Sequence, residues 1–70
     1  MYNIYATHIN AFNVEYVCCD LDSLYTIMTM LDTNAKIKNF SVIARGIEDY
    51  PEDFLKYKKI RLYKDLYEPN

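Results

Sequence analysis

The sequence predicts an α+β fold: a small antiparallel sheet of three or four strands with one main helix packed on one face, in the order ββαβ, then a short helix and a fourth strand. Three observations predict it. Apolar residues alternate with period two in several short runs, as a half-buried strand requires. Over one stretch after Asp20 they switch to helical spacing. The chain has 70 residues, 51% of them apolar, with one Gly and two Pro, which is enough for one core and too short for two. A single domain over 1–70 is therefore expected, one helix and one sheet burying each other's apolar faces.

In the first strand Tyr2, Ile4 and Ala6 alternate with Asn3, Tyr5 and Thr7, and β-branched and aromatic side chains suit a pleated surface. Asn10 and Asn13 supply turn chemistry, and Phe12, Val14, Tyr16 and Cys18 then alternate with Asn13, Glu15, Val17 and Cys19, giving a second strand hairpinned to the first. From Asp20 the period lengthens. Leu21, Leu24, Tyr25, Met28 and Leu31 fall on one stripe, with Asp22, Thr26, Thr29 and Thr33 opposite, so a helix is expected over 21–32. Asp20 or Asp22 can accept hydrogen bonds from the free amides of its first turn.

Ile27 lies at the edge of that stripe and Met30 towards its polar side, more apolar surface than one small sheet needs to be covered. Residues 37–45 alternate again, with Phe40, Val42 and Ala44 against Asn39, Ser41 and Ile43, and Gly46 permits a turn after them. Glu48, Asp49, Pro51, Glu52 and Asp53 form a helix start with Pro and acids in the first turn, and a short helix through Lys56 is expected. Residues 60–64 read as a fourth strand or, alternatively, as the end of one helix from Pro51 to Tyr67.

No run approaches the roughly 20 apolar residues of a membrane span. The N-terminal Met1-Tyr2-Asn3-Ile4 has neither the basic region nor the apolar run of a signal peptide, so a cytoplasmic location is expected, the host cytoplasm if the protein is viral. Cys18 and Cys19 are adjacent and point to opposite faces of a strand, which suits two reduced thiols better than a bridge. With the lone His8 they make no metal-ligand spacing; His8 reads as a turn residue, and one glycine leaves no phosphate-binding loop. No cofactor is expected.

Charge is divided unevenly. Residues 1–35 contain Glu15, Asp20, Asp22 and Asp32 and no Lys or Arg, whereas residues 36–70 hold all eight cations against six acids. Lys56, Lys58, Lys59, Arg61 and Lys64 fall close together, with Tyr57 and Tyr63 among them. That composition suits single-stranded nucleic acid, with cations on phosphates and rings stacked on bases. A solvated amphipathic face explains it better, given Glu48, Asp49, Glu52 and Asp53 just before it and the acidic balance of the whole chain.

The sharpest chemical motif is Tyr16-Val17-Cys18-Cys19-Asp20-Leu21-Asp22-Ser23-Leu24, an apolar strand delivering Asp-x-Asp to a turn. It resembles the first motif of haloacid-dehalogenase-type phosphatases, which would make Asp20 the nucleophile and Asp22 the proton shuttle. Helix capping explains the same two acids without further machinery, and the other groups that phosphoryl transfer needs are not recognisable. A non-enzyme is expected.

Tyr50-Pro51-Glu52-Asp53-Phe54, with Tyr57, Ile60, Leu62 and Tyr63 after it, resembles the small nonstructural proteins of gokushovirus-like single-stranded-DNA phages. The order of a Tyr-containing first strand, a central helix and a Pro-Glu-Asp-Phe-type segment also fits them. The resemblance implies a viral accessory protein and carries over no catalytic residue.

Together these readings favour an accessory or inhibitory protein that binds a host or viral protein, with nucleic-acid binding by the basic, aromatic C-terminal segment as the alternative. No membrane partner is expected, and a homodimer is compatible with the sequence. The expected contact surface combines Tyr50, Glu52, Asp53, Tyr57, Lys58, Lys59, Arg61 and Tyr63, rings that bury area at low entropic cost among charges that select orientation. Ile27 and Met30 on the helix are the next candidates.

Overall fold

A computed structural model describes residues 1–44 and 51–62. The expected turn at Gly46, the acids Glu48 and Asp49, Tyr50, Tyr63 and the rest of the C-terminal segment lie outside the described residues. The elements are β1 (Tyr2–His8), β2 (Asn13–Cys18), α1 (Leu21–Thr33), β3 (Ile37–Ala44), a 3₁₀ turn at Glu52–Lys56 and β4 (Ile60–Leu62). The described strands form one sheet in the order β2-β1-β3-β4.

β1 lies inside the sheet, antiparallel to both of its neighbours. Ile4 pairs with Tyr16 on one side and Val42 on the other, and Ala6 with Val14 and Phe40. These residues share the face turned to α1, and Ile4, Ala6, Phe40 and Val42 are fully buried there beneath Leu24, Met28 and Leu31 of the helix. Each of these side chains larger than alanine contributes on the order of 1.5–3 kcal/mol by leaving water. α1 begins at the expected place because Asp20, in an extended conformation, caps it. Thr26 and Thr33 satisfy themselves locally, donating to the Asp22 and Thr29 carbonyls.

The sheet departs from a purely antiparallel one at its last strand. β4 runs parallel to β3, with Phe40 opposite Ile60 and Ser41 opposite Arg61. The path of the chain explains it: residues 53–59 track one stripe of α1, with Tyr25 Oη donating to Asp53 at 3.3 Å, the Thr29 and Tyr57 hydroxyls 3.1 Å apart, and the Lys59 amide donating to Asp32 at 2.9 Å. Helix positions 25, 29 and 32 share one face. The segment is thereby carried back to the beginning of β3 before it re-enters the sheet. Residues 51–62 are thus a short helix and then a strand, and the single-helix alternative does not hold over them.

Candidate partner-binding surface

The C-terminal segment divides into a part that closes the core and a part that faces solvent. Phe54 is fully buried against Tyr25, the rings edge to face with centroids 5.8 Å apart. Tyr57 is only 8% exposed and lies 6.3 Å from the Phe40 ring. This corrects the expectation that Tyr57 is a contact ring: its spacing from Phe54 and Ile60 places it inward, and its hydroxyl has a polar exit at Thr29. Lys59 is half-buried and committed at both ends, its amide to Asp32 and its Nζ to the Asn34 carbonyl at 2.7 Å. Glu52, Asp53, Lys58 and Arg61 are exposed, with Asp53 receiving the Tyr25 hydroxyl. Lys56 Nζ lies over the Tyr25 and Tyr57 rings at 5.7 and 5.4 Å.

The Asp-x-Asp motif is split by its surroundings. Asp20 Oδ1 accepts from the Ser23 amide at 2.8 Å, and this hydrogen bond, with a second from the Ser23 side chain, holds its carboxyl below the ordinary value. Asp22 instead lines an open groove. Cys18 and Cys19 are free thiols, and burial, together with Asp20 and Cys19, pushes the Cys18 thiol above its ordinary value. Among the described residues no group of three or more His, Cys, Asp or Glu is placed to hold a metal. His8 stacks on Phe12 with ring centroids 4.2 Å apart, and its Nδ1 accepts from the Asn10 amide at 3.1 Å, which ties it into the hairpin turn.

The groove is the feature that the sequence pointed to least. Val17 and Cys18 of β2 form one wall, and Asp22, Ser23, Thr26 and Ile27 of α1 the other, around a volume of about 490 Å³. β2 is an edge strand of the sheet. Val17 is 53% exposed and Leu21, at the start of α1, 44%. Ile27, a candidate from its place on the helical stripe, is half-buried in this wall, while Met30 is exposed outside it. The signal missed in the sequence was Val17, an apolar residue on the nominally polar side of its strand.

On the face turned away from α1, the register aligns Glu15, Tyr5, Ser41 and Arg61 in one row across all four strands. Glu15 stands at the β2 edge, where it accepts from Asn3 Nδ2 at 3.2 Å, and Arg61 at the β4 edge. The row therefore begins with an acid and ends with a base. No helix among the described residues is long and apolar enough to cross a membrane. No known protein family, curated protein or solved structure matches the chain.

Proposed function

We propose that the protein acts by binding another protein, as a non-catalytic accessory or inhibitory module, and that β2 and the adjoining groove are its contact surface. One observation carries this reading: an edge strand presents an exposed Val17 beside a groove along a helix, lined by Cys18 and Ile27 as well as by Asp22, Ser23 and Thr26. An edge strand offers unpaired backbone groups to an incoming extended segment, and a neighbouring groove can take that segment's alternate side chains. Glu15 and Asp22 border this surface, and residues 1–35 contain no Lys or Arg, so the segment that complements it is basic as well as apolar. The accessory, phage-type character rests on the resemblance around Tyr50–Phe54.

The nucleic-acid alternative keeps the exposed Lys58 and Arg61 but not Tyr57, whose ring is inside. Affinity capture from the cells that make the protein, with and without nuclease, separates the two. A protein captured despite nuclease, and lost on Val17→Asp, supports the protein-binding reading. Capture that nuclease abolishes, or that Val17→Asp leaves unchanged, rejects it.

A further inference from the structure

The two edges of the sheet carry charges of opposite sign. Glu15 marks the β2 edge, and Lys58 and Arg61 the β4 side. Charged side chains on edge strands ordinarily prevent sheets from joining. Guards of opposite sign do something narrower: they oppose β2 on β2 and β4 on β4, because like charges then meet, and they admit β4 on β2. Strand direction agrees. β2 and β3 both run antiparallel to β1, and β4 runs parallel to β3, so β2 and β4 point the same way. A second copy placed with its β2 beside β4 continues the sheet by a parallel ladder with the same face outward.

In that arrangement the row Glu15, Tyr5, Ser41, Arg61 extends into the next copy, and Arg61 meets Glu15. The β4 sequence also has the alternation that the groove side requires. Arg61 is exposed in the row away from α1, while Ile60 is half-buried on the α1 side, the side on which the β2 groove opens. We propose that copies of this chain associate head to tail, the outer edge of β4 in one copy pairing with the outer edge of β2 in the next. The inference rests on the reading of β2 as a docking edge and names a second copy as its occupant. β4 has three described residues, and parallel pairing is the weaker kind, so the association is weak, graded with concentration and reduced by salt.

Sedimentation velocity of the purified full chain, from low micromolar to about 1 mM, tests it. Wild type should form species beyond the dimer as concentration rises. Glu15→Lys or Arg61→Glu should each weaken association about tenfold, with the folded far-ultraviolet spectrum retained because both side chains are exposed. Mixing the two variants should restore the ladder by alternation, because both mixed junctions join unlike charges, Arg61 of the first with Glu15 of the second and the Arg61→Glu position of the second with the Glu15→Lys position of the first, whereas each variant alone joins like charges. The double variant carrying both reversals should regain the full ladder. A wild type that stays monomeric throughout, or a discrete dimer that neither reversal alters, overturns the proposal. A monomeric protein that still captures another protein through Val17 leaves the docking reading standing while self-association falls; head-to-tail assembly without such capture does the reverse.

Discussion

The hydroxyls of Thr29 and Tyr57 lie 3.1 Å apart, joining the outer side of α1 to the segment that leads into β4. Tyr57 therefore has two functions in the fold, a ring in the core and a hydroxyl that latches the C-terminal segment to the helix. Replacing Tyr57 by Phe should cost about 0.5–1.5 kcal/mol, the net worth of one hydrogen bond. Replacing it by Ala should cost about 3–5 kcal/mol, a large part of the total stability of about 5–15 kcal/mol usual for a domain. Chemical denaturation of the two variants checks the ratio. Equal, small losses would mean that the ring is outside the core.

The Lys59 amide should depend on Asp32, whose Oδ1 it reaches at 2.9 Å in a partly buried setting. Asp32→Ala leaves that donor without its acceptor, at a cost of about 1–3 kcal/mol, and should accelerate hydrogen exchange at Lys59 by about tenfold or more. Asp32→Asn keeps an acceptor oxygen and should lie between wild type and Ala. Unchanged exchange in Asp32→Ala would show that β4 is held without this bond.

Ala11 has φ +73° in the β1–β2 turn, a conformation that costs a residue with a Cβ about 1–2 kcal/mol. Glycine removes that cost while adding freedom to the unfolded chain. Ala11→Gly is therefore expected to raise stability by about 0.5–1 kcal/mol, read from the denaturation midpoint. A loss of stability would mean that the turn does not use this conformation.

Asp20 caps α1 as a carboxylate, and its carboxyl is held below the ordinary value of 3.8 chiefly by the Ser23 amide. Because the folded value is the lower one, the charged cap stabilises the fold at pH above the ordinary value and loses this contribution as pH falls through the folded value. Thermal melts of wild type and Asp20→Asn should differ most near neutrality and converge in acid. A gap that stays constant with pH would assign the effect to shape rather than charge.

Much of this fold is legible in the residues. Alternation at Tyr2–Ala6, at Val14–Cys18 and at Phe40–Ala44, and the shift to helical spacing at Asp20, place three strands and the helix within a residue or two, because each element buries one periodic face. What could not be read is direction and depth in the C-terminal segment. The parallel pairing of β4 depends on the stripe of Tyr25, Thr29 and Asp32, three polar contacts between positions 27 or 28 residues apart, and local periodicity carries no information about them. For the same reason Tyr57, set among lysines, reads as a surface ring although it is buried. Glu52, Asp53, Lys58 and Arg61 face solvent, as charged side chains ordinarily do, whereas Lys59 is half-buried through its contacts with Asp32 and Asn34. The groove escaped notice because it joins β2 to α1, and only the sheet order makes β2 an edge.

The most direct test of binding through β2 is nuclease-treated affinity capture with three baits: wild type, Val17→Asp and Lys58→Glu. Both substitution sites are exposed, so folding should be common to the three baits, with far-ultraviolet spectra as the control. The captured protein should be retained by wild type and by Lys58→Glu and lost by Val17→Asp. Retention by Val17→Asp together with loss by Lys58→Glu would contradict the β2 surface and move the contact to the C-terminal segment.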